Sequence, residues 1–156
     1  MGALSCTDWL SVRDDPAVRV PGHSFVANPM CYRNPYGLDE ETYTNICIDH
    51  LERQIQLEDP ALVAAFIGEP FQQANGVQIP MPHYWKRVRE ICDKYEIIMI
   101  VDEVITGWGR TGSAFASQEF GVTPDMITMA KATTNGVVPM GVVAVKEEMY
   151  DAVLDL

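Results

Sequence analysis

Apolar positions in this chain recur with two periods, and each change of period marks an element. Tyr43, Cys47, Leu51 and Ile55 stand four apart, which predicts a helix with one buried stripe. Asp39 is placed to cap its start, Glu40 and Glu41 suit its first turn, and the helix should end before Pro60. The run 61–67 is continuously apolar and stops at Gly68-Glu69-Pro70, as a buried strand does. A polar loop follows, and Pro82 then precedes a second amphipathic helix. Tyr84, Val88, Ile91 and Tyr95 line one face of that helix, while Lys86, Arg87, Arg89, Glu90 and Asp93 occupy the other. Next come a strand at 97–101, a glycine-rich loop to 114, a short helix near 117–120 and a strand at 126–130. A last apolar run at 141–145 leads to a helix start near Glu147. Residues 1–38 carry Pro16, Pro21, Pro29 and Pro35 and predict an irregular, surface-tracking opening segment.

Alternation of strand and helix, with continuous apolar strands, predicts an α/β fold: a mainly parallel sheet with helices on both faces. Ligands of such sheets sit outside the carboxyl ends of the strands. Glu69, Asp102 and Lys131 all emerge there, each directly after an apolar run.

Composition narrows the classes. Of the 156 residues 47% are apolar, enough for a sizeable core. The formal net charge of −11 leaves no basic stripe to replace phosphate counterions, which argues against a nucleic-acid partner. Cys6, Cys31, Cys47 and Cys92 form no CxxC pair, and His23, His50 and His83 stand alone. The reading is therefore free thiols and no metal site. No run reaches membrane-spanning length and no signal-peptide layout opens the chain, so a soluble cytoplasmic protein is the expectation.

Three readings compete for the central loop. Gly107-Trp108-Gly109-Arg110-Thr111-Gly112 fits G-x-G-x-x-G, but in a dinucleotide site the first glycine follows its strand almost directly, and here Asp102 to Thr106 intervene. An apolar strand ending in Asp102-Glu103 also suits the Mg²⁺-binding strand of a nucleotide hydrolase. That enzyme needs a glycine-loop lysine, and none of Lys86, Lys94, Lys131 or Lys146 follows a glycine. The third reading uses the carboxylate of Asp102 and the amine of Lys131 together, as the means of holding the ring nitrogen and the aldehyde of pyridoxal phosphate.

The motifs that favour the third reading occur in order: Asp102-Glu103-Val104-Ile105-Thr106-Gly107-Trp108-Gly109-Arg110-Thr111-Gly112, Gly121-Val122-Thr123-Pro124-Asp125, Ala130-Lys131, Thr134-Asn135-Gly136 and Pro139-Met140-Gly141. With Glu69-Pro70 upstream, this series resembles class III pyridoxal-phosphate-dependent aminotransferases, clearly over 60–146 and more weakly over 1–59. The resemblance implies part of the large domain of a fold-type I enzyme, with its upstream phosphate loop and small C-terminal domain outside this chain. It also implies a homodimer acting on amine and keto-acid substrates. The 156 residues alone are expected to be inactive.

By the same resemblance, Lys131 is the catalytic lysine that bonds the cofactor aldehyde and then moves a proton. Its apolar preamble and the neighbours Ala130 and Ala132 suggest a desolvated setting. A buried Asp102 would pair with the pyridine nitrogen; the plainer alternative is a strand-end carboxylate that caps the next turn or pairs with Arg110. Val104 would pack on the ring face, because it shares a side of the extended chain with Asp102. Glu69 would lie beneath the cofactor, although a loop cap explains it nearly as well. Gly107, Gly109 and Gly112 are read as positive-φ turn residues, and Arg110 and Thr111 carry no assigned chemistry. Ala74 stands where glutamate-accepting members commonly carry a second acid, and Ile105 where glutamine is common. Both departures look more like the ω-amino acid–pyruvate branch. An aminomutase remains an alternative within the family.

Overall fold

The computed structural model describes residues 2–7, 20–74 and 76–154; Pro16 lies outside them. After a helical turn, α1 (Gly2–Ser5), the chain reaches α2 (Glu40–Leu57), β1 (Ala65–Gly68), α3 (Tyr84–Lys94) and β2 (Ile98–Asp102). It continues through α4 (Ala116–Glu119), β3 (Met126–Met129), β4 (Val142–Val145) and α5 (Glu147–Leu154). The strands form one sheet in the order β1-β2-β3-β4. β1, β2 and β3 run parallel, and β4 is antiparallel to β3. A mainly parallel sheet with packed helices is what the patterning predicts.

Helix α2 starts where its cap requires. The Asp39 carboxylate accepts the Thr42 amide at 2.9 Å, and Tyr43, Cys47, Leu51 and Ile55 are all buried. In α3 the predicted stripe of Tyr84, Val88 and Ile91 is buried, with Trp85 and Cys92 beside it. The two helices share one core with Met99 and Val101 of β2, together with Phe120 and Val122 beyond α4. Alternation along a strand sends neighbouring residues to opposite sides, and Ile67 of β1 is 41% exposed.

The strand predicted at 61–67 is shorter than its apolar run. Asp59 caps a 3₁₀ turn over Pro60–Leu62 through the Ala61 amide at 3.1 Å, so pairing begins only at Ala65. Proline at the start of that turn fixes a φ suited to a helical turn, and apolar character alone does not make it a strand. Leu62 is consequently 80% exposed. The opening segment from residue 20 is irregular, as expected, and docks on the body through polar contacts. The Asn28 amide donates to Gln72 and Gln78 at 2.7 and 2.9 Å, and Ser24 donates to Glu58 at 2.7 Å. Among the described residues no helix is long and apolar enough to cross a membrane.

One carboxylate sets the register of the sheet. Asp125, just before β3, accepts from the Met99 amide and from Arg89, both at 2.7 Å, and from Lys146 at 2.6 Å. These contacts fasten β3 to β2, to α3 and to the chain leaving β4. The sequence placed Arg89 on the polar face of α3; its side chain is only 17% exposed because it reaches inward to Asp125.

Candidate active site

The parallel register determines what meets at the carboxyl edge of the sheet. Gly68 of β1 pairs with Val101 of β2, so Glu69 and Asp102 leave adjacent strands at the same level. Asp102 in turn pairs with Thr128 of β3, and Lys131 follows three residues later on a 3₁₀ turn, Lys131–Thr133. Three charged side chains from three neighbouring strands are thus delivered to one rim.

Their fields overlap. The Glu69 carboxyl is raised above the ordinary carboxylate range, first by burial and next by the negative charge of Asp102. The Gln73 amide and the positive charge of Lys131 oppose that shift. Glu69 therefore senses both of the other two groups, as members of a single site would.

Asp102 is half-buried, less enclosed than the sequence suggested. One carboxylate oxygen accepts the Val104 amide at 2.9 Å, and the other oxygen has no hydrogen bond from that turn. This is the strand-end cap foreseen as the plainer alternative, but it uses only part of the carboxylate. Among the described residues no ion pair joins Asp102 to Arg110, which is exposed. Val104 is not carried on the strand as predicted. β2 ends at Asp102 and the chain turns from residue 104, so strand alternation does not place Val104. Lys131 departs further from expectation: its side chain is exposed, and its backbone is left-handed at φ 47°. Its apolar preamble forms strand β3, which ends before the lysine.

The carboxylate of Glu103, to which the sequence pattern assigns no role of its own, is fully buried. It accepts the Ala116 and Ser117 amides at 3.0 and 2.7 Å and the Thr106 hydroxyl. The first residue before α4 is Phe115, which has no side-chain acceptor, so Glu103 caps that helix from a distance. Gly107 has a different role from the expected positive φ. A Cβ there would lie 2.9 Å from the Glu103 carbonyl, so the residue must be small; Gly109 and Gly112 do carry positive φ, at 89° and 104°. A glutamate directly after a strand-end aspartate offers a signal for such a brace, but only coordinates show which helix it caps.

The donor set suits the ring end of a pyridoxal cofactor: a half-free carboxylate for a ring nitrogen and an accessible amine for an aldehyde. The hydroxyl of Thr128, the register partner of Asp102, is also buried without a hydrogen-bond partner among the described residues. An unpartnered hydroxyl on the register partner of Asp102 leaves a hydrogen-bonding group that a polar ligand could use.

Comparison with known proteins gives one consistent picture. The family model described as aminotransferase class-III matches residues 1–155. An omega-aminotransferase of Caulobacter vibrioides is 52% identical over 107 residues, covering 69% of this chain and 24% of that protein. A putrescine–pyruvate aminotransferase of Pseudomonas aeruginosa is 41% identical over 132 residues, covering 85% of this chain and 29% of that protein. The crystal structure of an (S)-enantioselective omega-transaminase from Thermomicrobium roseum superposes with a TM-score of 0.93 at 41% identity, covering 100% of this chain and 35% of that one. This chain thus spans 24% and 29% of the length of the two curated relatives.

Proposed function

Because the chain belongs to the class III aminotransferase family, we propose that it forms the central cofactor-binding part of a transaminase. The enzyme would move an amino group from an amine or ω-amino acid to a keto acid such as pyruvate. The observation that carries this reading is the convergence of Glu69, Asp102 and Lys131 at the carboxyl edge of three adjacent parallel strands, with Glu69 feeling the charge of both partners. Pyridoxal phosphate, when bound, supplies a protonated ring that accepts the electron pair left when the substrate Cα–H bond breaks. In this reading the free oxygen of Asp102 holds the ring nitrogen in its protonated form. The amine of Lys131 would hold the aldehyde end of the cofactor, and once freed as a neutral amine it would accept the substrate Cα proton and return it to the product. Val104 and Glu69 would border the ring, Val104 as an apolar surface and Glu69 from the neighbouring strand.

Ala74 in place of an acid and Ile105 in place of glutamine support the ω-amino acid–pyruvate branch, and the putrescine–pyruvate activity of the Pseudomonas aeruginosa relative supports pyruvate as the acceptor. The phosphate-binding loop, the substrate-carboxylate arginine and the second copy of a homodimer belong to this proposal through the family resemblance. The family match covers the very segment on which the nucleotide-hydrolase and dinucleotide readings rested.

The test is borohydride reduction of the protein expressed from its complete coding sequence and loaded with cofactor. Peptide mapping should place the reduced adduct on Lys131. An adduct on Lys86, Lys94 or Lys146 defeats the assignment.

A further inference from the structure

Two side-chain-bearing residues at the rim adopt the left-handed backbone that glycine favours, Trp108 at φ 65° and Lys131 at φ 47°. Such conformations persist where surrounding contacts impose them. Here the contacts join the two. The Trp108 indole N–H donates to the Thr133 hydroxyl at 2.9 Å, and that hydroxyl donates to the Ala130 carbonyl, also at 2.9 Å. The Ala130 carbonyl belongs to the peptide bond leading into Lys131. The hydrogen bonds run head to tail in one direction, an arrangement in which each polarises the next.

The Trp108 end of this chain of bonds is firmly held. Its backbone amide donates to the Ala114 carbonyl at 2.7 Å, and its ring meets Phe115 edge-on at 5.5 Å. The buried Glu103 carboxylate fixes both the start of the loop, through Thr106, and its return, through Ala116 and Ser117. Yet Trp108 is 50% exposed among the described residues, so burial there gives little reason for a tryptophan at this place. Its N–H contact explains the residue better than packing does.

We propose that Trp108 and Thr133 are positioning residues, a staple from the β2 loop that holds the turn of Lys131 and aims its amine at the rim shared with Asp102. The proposal rests on the reading of Lys131 as the cofactor-binding amine. It accounts for how a lysine with little apolar cover can still be held in one place: the backbone beneath it is clamped.

The experiment uses cofactor-loaded protein from the complete coding sequence with three variants. Trp108→Phe keeps the ring and removes the donor, Thr133→Val removes the relay, and Thr133→Ser keeps it. The expected result for the first two is a kcat about tenfold lower with KM nearly unchanged, as for loss of orientation. The pH midpoint of the bound cofactor's visible band should also move by about half a unit, because the charges around the amine are no longer fixed. Thr133→Ser should restore both. Unchanged kcat and midpoint in Trp108→Phe and Thr133→Val overturn the proposal, as does equal loss in Thr133→Ser and Thr133→Val. Loss of native circular dichroism in any variant counts against it too, because the role is then structural. Borohydride mapping of the wild type separates the two ideas: a missing Lys131 adduct removes the site reading, whereas a normal adduct with indifferent variants removes only the staple.

Discussion

Asp125 offers the sharpest link between the charge pattern and the sheet. Its side chain is 13% exposed and receives Arg89, Lys146 and the Met99 amide. Burial pushes its carboxyl up, but the Lys146 ammonium, the Met99 amide and the Arg89 guanidinium outweigh that and bring it down from 3.8 to about 2. The difference corresponds to about 2 kcal/mol favouring the ionised form in the fold. Arg89 matters more than Lys146 to stability, because Lys146 is 44% exposed and water screens its share. In Asp125→Asn one acceptor remains for the Met99 amide, so the expected loss is about 2 kcal/mol. Asp125→Ala also strands that amide, adding about 1–3 kcal/mol. A depressed carboxyl stabilises fully above its unfolded value, and the contribution fades as pH falls through the folded value. Urea unfolding of protein from the complete coding sequence should therefore show a gap between wild type and Asp125→Asn at pH 6 that has shrunk markedly by pH 2.5. A gap that is absent at pH 6, or equally wide at both values, would refute the assignment of Asp125 as the register-setting charge.

Other expectations follow from the remaining buried groups. Glu103→Ala leaves two amides and a hydroxyl unsatisfied and should cost about 3 kcal/mol or more, with Glu103→Gln clearly milder; equal urea midpoints for the two variants would contradict the capping role. Glu69 has a raised carboxyl, so ionising it costs the fold something that is relieved as pH falls below its folded value. Glu69→Gln should accordingly raise the melting temperature at pH 7 relative to wild type, and by less at pH 4. Burial lifts the Cys92 thiol to about 11 and also lifts Cys47. Both should resist an aromatic disulfide reagent until denaturant is added, as followed by peptide mapping. Asp102→Ala should weaken cofactor retention and turnover together in the full-length protein, and retention equal to wild type in equilibrium dialysis would argue against its pairing with the ring.

The sequence encodes the order and type of most elements, because period and caps are local properties. The stripe from Tyr43 to Ile55, the cap at Asp39 and the apolar runs ending at Glu69, Asp102 and Lys131 could all be read without coordinates. It misplaced what depends on where a chain turns: the strand start delayed by the turn after Asp59, Val104 carried off the strand, and Gly107 kept small by a carbonyl. Which side chains meet is set by the packed fold. The inward reach of Arg89 to Asp125, the distant cap made by Glu103 and the bond from Trp108 to Thr133 each join residues 13 to 36 positions apart. Such pairings arise from strand register and helix packing, and no local pattern of hydrophobicity encodes the partner. The exposure of Lys131 belongs to the same class, since burial is a property of neighbours in space and not of neighbours in sequence.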